Sequence, residues 1–293
     1  MSVQGLLDHL KTGQTHVCQC WAITRKDGVT FGFTDHDNPL KFDGITFLAD
    51  SGMSAKALAA STGLSVNNTD AMGLLQSDVI KEADIVAGRF DGAAVKTWLV
   101  QWDAVDNRQI RFAGTIGEIT RKSGQFEAEL RGLTEALNQP QGRSYLRSCS
   151  AVLGDAACGF NLNSATYRLT ADVLDVVENR TFLVNAGPYV DRWFEQGILT
   201  VMTGEASDLT GAIKHDRKEG NRHRITLWHP IRAEVAVGDT LRIDAGCDKR
   251  AETCRVKFDN FINFQGFPDM PGEDWLMSVP RSSDDSDGGS LVR

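Results

Sequence analysis

The chain of 293 residues carries six cysteines in three pairs: Cys18 and Cys20, Cys149 and Cys158, Cys247 and Cys254. The last two pairs are where chemistry is expected. Eight residues separate Cys149 from Cys158, six separate Cys247 from Cys254, and 88 lie between the pairs. Four thiolates meeting at one point would ligate a metal centre. Three readings of these residues compete. In the first, they are buried free thiols acting as small hydrophobes. Their flanks argue against that. Cys149 sits within Leu146-Arg-Ser-Cys-Ser150, Cys158 precedes Gly159, and Cys247 lies between Gly246 and Asp248-Lys-Arg250, all loop contexts. The second reading is a four-cysteine zinc site, but zinc sites favour tight spacings within each pair. The third is an iron–sulfur cluster, whose wider core suits longer loops. Four thiolates on a doubly positive cubane leave a negative site, and Arg147, Lys249, Arg250, Arg255 and Lys257 supply basic neighbours. Glycines beside the ligands let backbone N–H groups approach sulfur. Spacing alone does not decide between zinc and the cluster.

The elements that must position these cysteines are strands. Residues 2–12 place Val3, Leu6, Leu7 and Leu10 at helical spacing, and Gly13 ends the pattern. Alternation and turn residues then predict short strands over 16–24, 29–34, 40–42, 45–48, 92–103, 109–121 and 125–131. A helix is expected over 77–87, with Ser77 as N-cap and Val79, Ile80, Ala83 and Val86 on one face. A short helix is expected over 133–138, stopped by Pro140 and Gly142. Residues 50–76 are rich in Ser, Ala and Asn, and no element is assigned to them throughout. Between the cysteine pairs, strands are predicted over 165–177, 180–184, 197–203, 212–216, 222–227 and 240–243, which suggests a barrel or sandwich. A compact barrel brings its ends together, and with them the two cysteine pairs. The fold class is therefore mainly β, in two domains: a β-rich domain over 1–147 and a β module with the four-cysteine site over 148–280. A mobile acidic tail over 281–293 follows.

Composition bounds the function. Hydrophobic residues make up 41% of the chain, enough for a real core. No apolar run reaches the roughly 18 residues of a membrane span, and the N-terminus lacks the features of a signal peptide. The chain is expected to be soluble and made in the bacterial cytoplasm. Net charge is −8; residues 1–147 carry 15 Lys and Arg against 17 Asp and Glu, and residues 148–293 carry 16 against 22. A sequence-independent DNA binder needs the opposite sign. Six cysteines are too sparse for a disulfide scaffold. Phosphate-loop, dinucleotide, nucleophile-elbow and zinc-protease motifs are absent from the sequence. No enzyme activity is expected.

Other conspicuous residues read as structural. Cys18 and Cys20 are two apart on one strand face, with no further ligand adjacent. Asp35-His36-Asp37 stands where a turn needs side chains to cap backbone N–H groups. Phe258, Phe261, Phe264, Phe267 and Trp275 are expected to form an apolar lid over the cysteine site, and His229 is expected to be structural.

The segment Gly246-Cys-Asp-Lys-Arg-Ala-Glu-Thr-Cys254, continuing through Phe258 to Phe267-Pro268, resembles the C-terminal signature of phage tail hub proteins. That family occurs in siphophages and in gene transfer agents. The ending Met270-Pro-Gly-Glu-Asp-Trp-Leu276, the stretch Phe33-Thr-Asp-His-Asp37 and Phe42-Asp-Gly44 are similar to the same family. The cysteine spacing resembles that of the lambda tail-tip protein L family, which has a C-terminal iron–sulfur domain. The resemblance covers essentially the whole chain and is strongest at 147–160 and 245–276. It implies a 4Fe–4S cluster on Cys149, Cys158, Cys247 and Cys254, with zinc as the lesser alternative. It also implies a virion structural protein: a ring-forming hub, usually a trimer, at the tail tip or baseplate. Its implied partners are further copies of itself, the distal tail protein, a tip or fibre protein and the tape-measure protein, with DNA passing through without specific binding. A stand-alone iron–sulfur oxidoreductase and a zinc-stabilised adhesion module remain as alternatives from other classes.

Overall fold

In the computed structural model, the described residues are 2–49, 68–69, 80–122, 125–133, 142 and 145–270. The chain divides into two compact units, Met1–Gln141 and Gly142–Arg293. Both are mainly β, as the alternating pattern requires.

The first unit begins with helix α1 (Val3–Lys11). The Ser2 hydroxyl accepts from the Gly5 N–H at 3.0 Å, and Leu6 is buried. Strands β1 (Val17–Thr24), β2 (Thr30–Thr34), β3 (Leu40–Phe42) and β4 (Ile45–Leu48) follow. After them come β5 (Asn68–Thr69), helix α2 (Glu82–Val86), β6 (Ala94–Gln101), β7 (Arg108–Lys122) and β8 (Gln125–Gly132). They form one sheet in the order β3-β4-β2-β1-β6-β7-β8-β5. All neighbours run antiparallel except β2 with β4. Cys18 and Cys20 lie in its core with Phe42, Phe47 and Trp98, so their shared face serves packing.

The helix expected over 77–87 is only five residues long. Its first turn follows Lys81, whose side chain makes no cap, and Ser77 lies outside the described residues. Ile80 and Ile85 are buried while Val86 is exposed, because so short a helix builds no full periodic face. The segments 50–67, 134–138 and 281–293, with Trp275, also lie outside the described residues.

The second unit holds a closed barrel of β9 (Arg168–Val177), β10 (Thr181–Asn185), β11 (Ile198–Val201), β12 (Thr210–Glu219), β13 (Arg222–Leu227) and β14 (Thr240–Asp244). Its order is β10-β13-β12-β11-β14-β9. Alternate strand residues point inward and fill it with Val173, Phe182, Val184, Leu199, Ile213, Ile225 and Ile243, and Phe194 joins them from the connection after β10. Closure comes from pairing the first strand with the last: Arg168 lies opposite Asp244, and the Ala245 N–H donates to the Tyr167 carbonyl at 2.7 Å. The chain thus enters and leaves the barrel side by side. Beyond the exit lie helix α3 (Ala251–Val256) and a 3-10 turn over Phe261–Asn263.

Candidate metal centre

Two limbs flank the barrel. The first, carrying Cys149 and Cys158, precedes β9. The second, carrying Cys247 and Cys254, follows β14. Because β9 and β14 pair, both limbs emerge at one place, and the Cys149 N–H donates to the Lys249 carbonyl at 2.8 Å. The Lys249 ammonium also donates to the Ala151 carbonyl.

The first limb is shaped by Asp155. Its carboxylate accepts from the N–H groups of Val152, Ala157 and Cys158 at 2.8, 3.0 and 2.7 Å. Those donors, led by Cys158, hold the Asp155 carboxyl below its usual value. The second limb is fixed by close backbone approach. A Cβ at Gly246 would fall 1.6 Å from the Glu195 carbonyl oxygen, so only glycine fits. The Gly246 N–H donates to the Trp193 carbonyl at 3.1 Å. The Lys257 ammonium donates to the carbonyls of Trp193 and Gly246 at 2.6 and 2.9 Å and lies over the Trp193 ring. Burial pushes the Lys257 amine down to about 8.

The connection over residues 186–197 that receives these bonds is anchored inside the barrel. His223 Nδ1 meets the Asp216 carboxylate at 2.6 Å, and both side chains are fully buried. Asp216 also accepts from the Phe194 N–H at 2.9 Å, and His223 Nε2 meets the Tyr189 carbonyl at 3.3 Å. Tyr189 and Trp193 donate in turn to backbone carbonyls at 165–168, where the chain enters the barrel.

The result is one small cavity lined by Cys149, Cys158, Cys247 and Cys254 together, with Lys249, Arg250, Phe258, Asn260 and Phe264 among its walls. Its empty volume is about 340 Å³, open mouth included. All four sequence-selected cysteines therefore share one site. Among the described residues no three His, Cys, Asp or Glu side chains are gathered tightly enough to hold a single ion. Two sulfurs accept N–H groups: Cys149 from the Gln265 backbone at 3.4 Å and Cys158 from Asn260 Nδ2 at 3.5 Å. Burial raises the Cys247 thiol. It raises the Cys254 thiol too, with added effect from the sulfurs of Cys247, Cys149 and Cys158.

The expected aromatic lid is smaller than its spacing suggests. Among its described members, Phe258 and Phe264 line the cavity. Phe261 stacks on Phe264 with Arg255 over its outer face, and Phe267 lies against Tyr145. The left-handed backbone of Asp259 and the turn over Phe261–Asn263 redirect the run. Sequence reasoning also missed Asn260, Gln265 and Asp155. An Asp followed three residues later by a Cys in a Gly-rich loop was the one legible signal for a capped turn.

Comparison with known proteins agrees with this architecture. Residues 3–161 match the family described as baseplate hub protein, N-terminal attachment domain, and residues 192–274 match a phage conserved hypothetical family. The first match takes in Cys149 and Cys158, and the second Cys247 and Cys254. A search of curated proteins found no match. A solved chain from the virion of a native gene transfer agent particle is 50% identical, covering 98% of this chain and 99% of that one, with a TM-score of 0.89. On a domain match spanning more than half its length, and on a full-length relative of the same fold, this chain belongs to the baseplate hub protein family.

Proposed function

We propose that the protein is a structural component of a phage-like tail, a ring-forming hub at the tail tip of the virion, whose second unit is stabilised by a 4Fe–4S cluster on Cys149, Cys158, Cys247 and Cys254. The full-length likeness to a gene transfer agent virion chain supports the structural role. In this reading copies of the chain form a ring, usually of three, between the distal tail protein and a tip or fibre protein. DNA and the tape-measure protein would pass through it.

The observation that carries the metal reading is the meeting of four cysteines, two from each remote limb, at one cavity. The donor set fits a cluster. It offers four sulfurs, N–H donors to two of them, and the basic side chains of Lys249 and Arg250 against the negative charge of ligating thiolates. When bound, such a cluster supplies a covalent cross-link among the four sulfurs. The residues do the rest. Asp155 shapes the first limb, Gly246 and Lys257 seat the second, and Phe258 and Phe264 shield the cavity from water. Joining the limbs closes a loop of 88 residues, which on the scale of a disulfide constrains the unfolded chain by about 4–5 kcal/mol. Metal binding is thereby coupled to folding of the second unit.

The test is anaerobic purification with analysis of iron, acid-labile sulfide and zinc. The expected protein is brown, with iron and sulfide in equal amounts. Zinc without sulfide would replace the cluster with the zinc reading. A colourless protein that keeps its fold and assembles into tails after Cys→Ser at all four positions would overturn the structural role of the site. Turnover with an electron donor would instead favour the oxidoreductase.

A further inference from the structure

We propose that Asn260 is a positioning residue for this site, holding the Cys158 sulfur from behind and tying it to the limb that carries Cys254. The inference rests on the reading that the four cysteines ligate a cluster. Asn260 is buried, and its side chain is fully used. Its Nδ2 donates to the Cys158 carbonyl at 2.8 Å and to the Cys158 sulfur at 3.5 Å. Its Oδ1 accepts from Asn263 Nδ2 at 2.8 Å. The Cys158 carbonyl sets the orientation of the amide, since the reverse would bring Oδ1 against it. The backbone N–H of Asn260 donates to the Cys254 carbonyl at 3.0 Å. One residue therefore contacts a cysteine from each limb.

The chemistry explains why this residue is an amide. The position needs two N–H donors on one side and an acceptor on the other, which asparagine supplies. Aspartate has the same shape but only acceptors, and leucine has neither. A donor aimed at a ligand sulfur favours its negative charge. It therefore strengthens ligation, and it favours the reduced, more negative cluster. Groups in this position typically alter metal affinity by about 10–100-fold.

The experiment compares the full-length wild type with N260D, N260L and N263A, all prepared anaerobically. Iron and sulfide content, the rate of iron loss to a chelator, and the reduction midpoint are measured beside circular dichroism. N260D should lose iron about 10–100-fold faster. Its ratio of reduced to oxidised cluster at fixed potential should fall at least tenfold, about 59 mV for one electron. N260L should fall between N260D and wild type. N263A keeps Asn260 and its bonds to Cys158 but removes the partner of Oδ1, and should show the smallest change; it serves if the Asn260 variants do not fold. Wild-type retention and midpoint in all folded variants would overturn the proposal. A wild type without iron and sulfide would instead refute the cluster. The positioning is then read on the metal-free chain, as the rate of Cys158 alkylation. N260D removes the donor that favours the thiolate and should lower that rate at least tenfold; an unchanged or raised rate would overturn the proposal.

Discussion

Replacing Gly246 by alanine should open the cysteine site without touching a cysteine. Gly246 lies outside the left-handed region, so alanine meets no backbone penalty there. The obstacle is space. The new Cβ would lie 1.6 Å from the Glu195 carbonyl oxygen, 2.5 Å from its carbon and 2.9 Å from the Gly197 nitrogen. All three are backbone atoms, so no flexible side chain can yield. Overpacking of this kind costs about 1–3 kcal/mol. Separation also strains the Gly246 bond to Trp193 and the Lys257 bond to Gly246, at about 1 kcal/mol each. The sum is about 4 kcal/mol, or a fall of about 8–16 °C in the melting temperature of a unit of this size. Gly238 provides the comparison. Its φ is +96°, but nothing lies within 4 Å of an added Cβ, so G238A should cost about 1–2 kcal/mol from backbone strain alone. Calorimetry of both variants reads the difference. If G246A melts within about 2 °C of wild type, or above G238A, the close approach of the two segments is not what holds the second limb.

Further consequences can be measured directly. H223L strands the buried Asp216 carboxylate and should destabilise the barrel by about 3–5 kcal/mol in urea titrations. F182A empties a fully buried position of the barrel core and should cost a similar 3–5 kcal/mol. Alanine at Cys18 and Cys20 together should leave iron content unchanged, since both lie in the core of the first unit. Backbone donors, led by the Cys158 N–H, hold the Asp155 carboxyl below the usual carboxylate range. Its contribution is therefore present above that range and is lost as pH falls through the lower, folded value; in D155N the urea midpoint should lose part of this acid dependence.

Much of the fold was legible because a half-buried strand repeats every two residues and its turns need special residues. Leu40–Phe42 and Arg222–Leu227 appear with the predicted bounds. The barrel was readable for the same reason, and antiparallel pairing of β9 and β14 is the physical cause of the convergence expected from a compact module. What escaped was local and polar. Helix α3, with Cys254 on it, is six residues long and buries one side chain, too little for a periodic signal. The Gln265 contact to Cys149 uses a backbone N–H, which any residue type offers. The phenylalanines recur every third residue and suggest one face, yet a left-handed Asp259 and a 3-10 turn divide them.

The side-by-side arrangement of Tyr167 and Ala245 also decides how the barrel would answer to tension. Force drawn along the chain would reach β9 and β14 from the same end and peel their ladder one bond at a time, the weakest way to load paired strands. The two cysteine limbs stand directly outside that point. A link between them would carry the pull past the barrel, leaving its strands unloaded.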